Sequence, residues 1–489
     1  MNQIFKFKTG KTGIVINATT DRAFLMYDGQ IENLMIGDDA TPLGGDFELK
    51  TKSSYFGTII DIYGNNVYGT NKQKNETVFP SASGVFAEAK NLNYRLNLDT
   101  QLKTGVFAID VLFPIGLGQR QVILGDAQTG KTSLCLSTII NNKDNDQLKV
   151  IYASIGNKSV DLSRIYNVLL NKKALKNTMI LHAPSDNSLQ QYLMPYVAMN
   201  HAENLMMAGY DVLVVIDSLT NHSHVIREAG LLTGAPVGKE AYPSNLFFAH
   251  AQFLERSGKF INGKSISCLP IVKTINNDIT SLLASNVISI TDGQIVLSSD
   301  LKNQSILPAI DLQRSVSRLG GAVQSQMLRQ LCNNLNAIYN LYVRNMRFSQ
   351  INFEFNSFIK KTLDQGKLLV NVLKQAEFVC YSSVTNLILG SIVSGNLLDA
   401  NAPIQFYIEM FQEYMHQDHV GKIIYRAIRD QIDHRRDINQ EILGHFLKNI
   451  FMQFEQLRHT DYQMNFNNPD YFKISPKVME VLKGSLWAK

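Results

Sequence analysis

Gly125-Asp-Ala-Gln-Thr-Gly-Lys-Thr132 decides how this chain is read. It fits GxxxxGK[ST], the pattern of a loop that holds nucleotide phosphates. The run before it, Gln121-Val-Ile-Leu124, is apolar and β-branched, as a buried parallel strand requires. The run after it, Ser133-Leu-Cys-Leu-Ser-Thr-Ile-Ile140, has no Gly or Pro and can continue as a helix. The motif therefore stands between a strand and a helix, where its chemistry needs it. Gly125 and Gly130 let the backbone wrap an anion, and the helix N-terminus turns free N–H groups toward it. The stretch Gly125, Asp126, Ala127, Gln128, Thr129, Gly130, Lys131, Thr132 and Ser133 is thus the candidate cradle for ATP or ADP. Lys131 would reach the β and γ phosphates, and the Thr132 hydroxyl would bind Mg²⁺. The bland alternative is a chance glycine-containing loop.

A second element supports the first. Asp211-Val-Leu-Val-Val-Ile-Asp217 is an apolar strand ending in a carboxylate, which in such sites holds Mg²⁺ through water. Alone, Asp217 could equally cap the next helix. Hydrolysis also needs a group that activates water. In Ala153-Ser-Ile-Gly-Asn157-Lys158 that place falls to Asn157, which can hydrogen-bond a water but cannot take its proton. Asp161 and Glu228 could substitute in principle, though both read as surface or capping acids. On this chemistry the site binds Mg-nucleotide and hydrolyses it poorly.

The wider composition sets the frame. A chain of 489 residues exceeds one core, and 45% hydrophobic with 18% charged residues is ordinary globular composition. There is no run of eighteen apolar residues and no apolar signal core at the N-terminus. Cys135, Cys268, Cys332 and Cys380 form no CxxC and read as reduced thiols of a cytoplasmic protein, not as metal ligands. The net charge of +5 is mild, and His434-Arg435-Arg436 is flanked by Asp433 and Asp437, so no nucleic-acid partner is expected.

Three domains are expected, in an α/β chain. Residues 1–80 alternate short β-prone runs (13–16, 23–27, 57–63) with turns at Asp28-Gly29, Gly44-Gly45 and Gly64-Asn65-Asn66, the pattern of a small antiparallel β-barrel. Residues 81–325 open on a polar linker around Pro80 and Ser81–Gly84 and form the P-loop nucleotide-binding domain, of RecA-like type. Its strand candidates are 122–124, 150–154, 179–182, 212–216, 269–272 and 287–290. Residues 326–489 read as a helical domain. Leu369, Val372, Leu373 and Ala376, and again Leu443, Phe446, Leu447, Ile450 and Phe454, repeat at helical spacing as core faces. Ser475-Pro476 suits the start of a last short helix.

Several stretches together resemble the α subunit of F-type ATP synthases. They are Gln101–Gly105, Pro114–Arg120, Gly125–Thr132, Lys239-Glu-Ala-Tyr-Pro243, Leu254-Glu-Arg256, Asn286–Ile295, Pro308-Ala-Ile310 and Ser315-Val-Ser-Arg-Leu-Gly320. The family's β subunit is a poorer match, because its P-loop differs and its catalytic loop carries Glu where this chain has Asn157. The resemblance implies a heterohexameric ring alternating with a catalytic β-like subunit around a central γ-like stalk, touching the membrane only through the complex. It further implies that Arg318 serves the neighbouring subunit's site as an arginine finger in trans. Arg314, with no counterpart in the family motif, is expected to be dispensable. Three departures stand out. Ala127 replaces a family Arg, while Lys302 and Leu307 replace an aromatic and an Arg that line the family's non-catalytic nucleotide pocket. The helical N-terminal extension of the family has no counterpart here, which points toward a specialised ATP-driven complex, such as the motility-linked variants of AT-rich bacteria, rather than a complete proton-coupled synthase. The competing readings are an ordinary synthase α subunit and a catalytic homohexamer such as an export ATPase or Rho-type helicase. The last requires a glutamate near Asn157. A ring subunit without nucleotide function is disfavoured by Lys131, Thr132 and Asp217.

Overall fold

The structure, a computed structural model, describes residues 3–29, 34–43, 49–69, 76–82, 84–349, 357–458, 474 and 476–487. The chain forms two compact units. One joins Met1–Thr104 with Ile115–Val323, and the other joins Gly105–Pro114 with Gln324–Lys489.

In the first unit, strands Ala23–Tyr27, Thr12–Ala18, Ile4–Phe7 and Ala40–Pro42 lie side by side in that order, all antiparallel. The expected antiparallel character is there. Closure into a barrel is not seen among the described residues, and the Gly44-Gly45 turn lies outside them. The run expected as a strand over 57–63 pairs only at Ile59–Ile60, and it leaves the N-terminal sheet altogether. It runs parallel to Thr178–Ala183 of the large sheet. Two consecutive buried isoleucines have no solvent face, which suits a sheet covered on both sides.

The large sheet carries the site. From Gly293–Leu297 through Val122–Gly125, Ser265–Lys273, Asp211–Asp217 and Leu148–Ile155 to Thr178–Ala183, every neighbouring pair is parallel. Their carboxyl ends finish level: Gly125 pairs with Lys273 and Leu297, and Ser154 pairs with Asp217. The loops that follow these strands therefore share one crevice, where open α/β sheets bind ligands. The helix Ser188–Met207 is buried nearly all round. Its Glu203 holds the fully buried Arg256 at 2.7 Å, and Arg256 also donates to the Val85 carbonyl, so both charges are satisfied.

One expectation is corrected. Val287–Ile290 lies in a helix, Leu282–Ile290, not in a strand. The Ser281 side chain caps that helix by accepting from the Ala284 N–H, and the local start signal outweighs the β-branched run. The strand begins later, at Gly293, where φ is 152° and a Cβ would meet the Val316 carbonyl at 2.3 Å.

The second unit is helical: Gln326–Ser349, Ser357–Leu373, Ser383–Ser394, Ile404–Gln417, His419–Asp433, Gln440–Arg458 and Pro476–Trp487. Leu443, Phe446, Leu447, Ile450 and Phe454 are buried as their spacing demands. The Leu369 stripe ends at Leu373, and Ala376 lies exposed beyond the helix. Ser475 lies outside the described residues. Gly105–Pro114 joins this unit through Gln375, whose side chain accepts from the Phe107 N–H at 3.0 Å and donates to the Gly105 carbonyl at 2.6 Å. Among the described residues no helix is long and apolar enough to cross a membrane.

Candidate functional site

The P-loop emerges from the buried strand Val122–Gly125 and runs into the helix Lys131–Asn141. Its path needs its glycines. At Gly125 a Cβ would stand 2.7 Å from Thr129 Oγ1 and 2.8 Å from the Leu297 carbonyl. Gly130, the residue before the helix, is left-handed with φ 100°. Gln128 at the loop tip is also left-handed, with φ 60°.

Lys131 is buried and folds back over the loop. Its ammonium donates to the carbonyls of Gly125 (2.8 Å) and Asp126 and lies 3.4 Å from Thr129 Oγ1. Burial pushes it down to about 8, against the opposing pull of Asp217. A phosphate would offer this cation stronger, charged acceptors than the carbonyls it now holds.

Thr132, Asp217 and Asn157 are brought together. The Thr132 hydroxyl donates to Asp217 Oδ2 at 2.9 Å, and the Tyr152 hydroxyl donates to the same oxygen at 2.6 Å. Asn157 turns its amide N–H₂ inward, donating to the Asp217 carbonyl (3.0 Å) and to Ser154 Oγ (3.1 Å). Burial and the neighbouring carboxylate raise the Tyr152 phenol well above its ordinary range, so it stays a donor. Ser218, next after Asp217, takes the capping role by accepting from the Asn221 N–H, which leaves the Asp217 carboxylate to the crevice. A hydroxyl and one carboxylate at a helix N-terminus fit Mg²⁺, which binds through few protein oxygens and completes its shell with phosphates and water. Among the described residues no group of three or more His, Cys, Asp or Glu could hold a metal on its own.

The other candidates sort differently. Asp126 braces the loop: its carboxylate accepts from the Thr274 hydroxyl (2.6 Å) and the Asn277 N–H (3.0 Å). Ala127 is exposed, and Ser133 is half-buried in the first turn of the helix. Asp161 and Glu228 are exposed on helices Ser159–Asn171 and Leu219–Leu232. Arg318 stands apart from the P-loop residues. It follows the edge strand Val316–Ser317, is exposed, and donates to the carbonyls of Thr291 (3.2 Å) and Ile288 (3.4 Å).

Arg314, expected to be dispensable, makes two bonds beside the loop. It pairs with Asp311 at 2.6 Å and donates to the Asn277 carbonyl at 2.9 Å, so it fixes the loop that clamps Asp126. Lys302 likewise donates to the Gln128 carbonyl at 2.7 Å, tying down the P-loop tip. Thr274, Asn277 and Tyr152 escape sequence reading because each acts across the sheet. The one available signal was position: Thr274 and Asn277 closely follow an apolar strand, as functional loops do.

Comparison with known proteins bears on this geometry. The family model "ATP synthase alpha/beta family, nucleotide-binding domain" matches residues 105–317. The chain is 42% identical to "ATP synthase subunit alpha 2" of Mycoplasmopsis pulmonis over 489 residues, covering 100% of this chain and 95% of the relative. It is 32% identical to "ATP synthase subunit alpha" of Dictyoglomus thermophilum over 461 residues, 93% of this chain and 88% of the relative. It is 34% identical to the protein of the same name in Corynebacterium jeikeium over 387 residues, 77% of this chain and 70% of the relative.

Proposed function

The chain belongs to the alpha-subunit family of ATP synthases, and from that premise we propose that it is the non-catalytic member of a ring alternating with a catalytic β-like subunit around a γ-like stalk. Its own crevice holds ATP or ADP with Mg²⁺. The loop Gly125–Thr132 and the helix N-terminus bind the phosphates, Lys131 neutralises them, and Thr132 with Asp217 holds the metal. Bound Mg²⁺ would neutralise phosphate charge.

The observation that carries the non-catalytic reading is Asn157. It stands where a water-activating carboxylate is wanted, and its amide is spent as a donor to Asp217 and Ser154. A group already donating, with no basic oxygen of a carboxylate, does not take a proton from water. Arg318 supplies the complementary half: an exposed guanidinium at the sheet edge, suited to reach a phosphoryl group held by a neighbour. We extend the proposal to what the ring does. That reading is a specialised ATP-driven process such as motility in place of complete proton-coupled synthesis, with the complex at the cytoplasmic face of the membrane, while Ala127, Lys302 and Leu307 thin this subunit's own nucleotide pocket relative to the family pattern.

Native mass spectrometry of the complex purified from its own cells tests the assembly. The expected result is this chain and a β-like partner in equal number. A hexamer of this chain alone would contradict it.

A further inference from the structure

Tyr152 lies in the middle of the strand Leu148–Ile155, fully buried, in register with Val215 on one side and Ile180 on the other. Its ring needs only the apolar space that a phenylalanine would fill. Its hydroxyl is another matter. A buried hydroxyl costs free energy unless it is bonded, and this one is bonded to the one carboxylate of the crevice's metal pair.

Donors and acceptors constrain the arrangement further. Asp217 Oδ2 accepts from both Tyr152 and Thr132. The Thr132 hydroxyl has one proton and gives it to Asp217, so its oxygen keeps lone pairs to offer a cation. The Tyr152 and Thr132 bonds both fall on Oδ2 and orient the carboxylate, while neither takes Oδ1. Asn157 donates to the Asp217 backbone carbonyl at 3.0 Å.

We propose that Tyr152 is a positioning residue for the Mg²⁺ site: its buried hydroxyl locks the Asp217 carboxylate so that Thr132 presents its oxygen to the metal. This rests on the reading that the P-loop holds Mg-nucleotide. Tyr152 touches neither metal nor phosphate. It acts through Asp217, as partners behind metal ligands do, and such partners are worth about 10- to 100-fold in metal affinity.

The test measures binding of a fluorescent ADP analogue to the full chain, with and without Mg²⁺. In the wild type Mg²⁺ should tighten binding. Tyr152→Phe should leave Mg²⁺-free affinity and melting temperature near wild type but cut the tightening by about tenfold. Asp217→Asn should remove the tightening, and adding Tyr152→Phe to it should change nothing more, because both changes break one unit. If Tyr152→Phe keeps the full Mg²⁺ effect, or its effect adds to that of Asp217→Asn, the positioning role is refuted while the nucleotide site stands. If the wild type shows no Mg²⁺ effect and Lys131→Ala binds equally well, the nucleotide reading falls and the inference with it.

Discussion

The crevice at the strand ends and the Arg318 edge belong to one sheet, but they treat charge in opposite ways. In the crevice, Lys131, Asp126 and Asp217 each bind neighbours in the chain, within a loop clamped through Asn277, Arg314 and Lys302. At the edge, Arg318 is exposed and holds two backbone carbonyls at 3.2 and 3.4 Å. The crevice places Asn157, an amide and not a carboxylate, against the backbone of Asp217. The edge is a cation paired with no carboxylate among the described residues. Under the proposed function the two regions would divide the work, with phosphate binding in the crevice and stabilisation of a neighbouring subunit's phosphoryl transfer at Arg318.

The sharpest way to break this comparison is Arg318→Ala. In the assembled complex it should lower kcat by about 10³- to 10⁵-fold while the ring stays intact, the range typical of an arginine finger. Arg318→Lys should rescue little, since Lys lacks the planar fork that bridges two oxygens. Steady-state ATPase assays read both, and wild-type turnover by Arg318→Ala would remove the finger.

Acid acts next, on the core. The core of the first unit holds buried imidazoles that depend on staying neutral. Burial pushes His201 and His222 each down to about 4. Both values lie below the unfolded one of about 6.5, so the unfolded state binds more protons in between. Their stability contribution is full above pH ~6.5 and is lost as pH falls toward 4, up to about 3 kcal/mol for each histidine. The melting temperature should fall steeply across that window, and His222→Phe should flatten the slope. A flat profile would show that these groups do not limit stability.

Smaller effects sharpen the division within the crevice. Lys131→Ala should cost the complex only severalfold in turnover, whereas the matching change in the β-like partner should abolish it; equal losses would make this site catalytic. Arg314→Ala should weaken nucleotide binding by about two- to fivefold, as expected for a half-exposed ion pair worth about 0.5–1 kcal/mol. Unchanged affinity would mean that the Asn277 clamp does not matter.

Sequence made the P-loop visible because the motif is local: a strand, a glycine-bounded turn and a helix in one continuous stretch. Asp217 was visible for the same reason, at the end of an apolar run. What stayed hidden was assembled across strands. Tyr152 in an apolar strand reads as core, and only the parallel register with Asp211–Asp217 puts its hydroxyl on the carboxylate. Arg314 looked dispensable because the family motif has no counterpart for it, and its bond to the Asn277 carbonyl, 37 positions away, is not legible in sequence. Val287–Ile290 misled because β-branched composition is a weak signal beside a serine cap three residues before Ala284. Ile59–Ile60 joined the large sheet rather than the N-terminal one, a choice made by tertiary pairing that no local pattern announces.

The central claim is that this chain binds nucleotide without turning it over. ATP hydrolysis by the purified full-length chain, measured beside its Lys131→Ala variant, tests that most directly. The account predicts background rates from both, with nucleotide binding only in the wild type. Robust turnover by the wild type, abolished in Lys131→Ala, would contradict it.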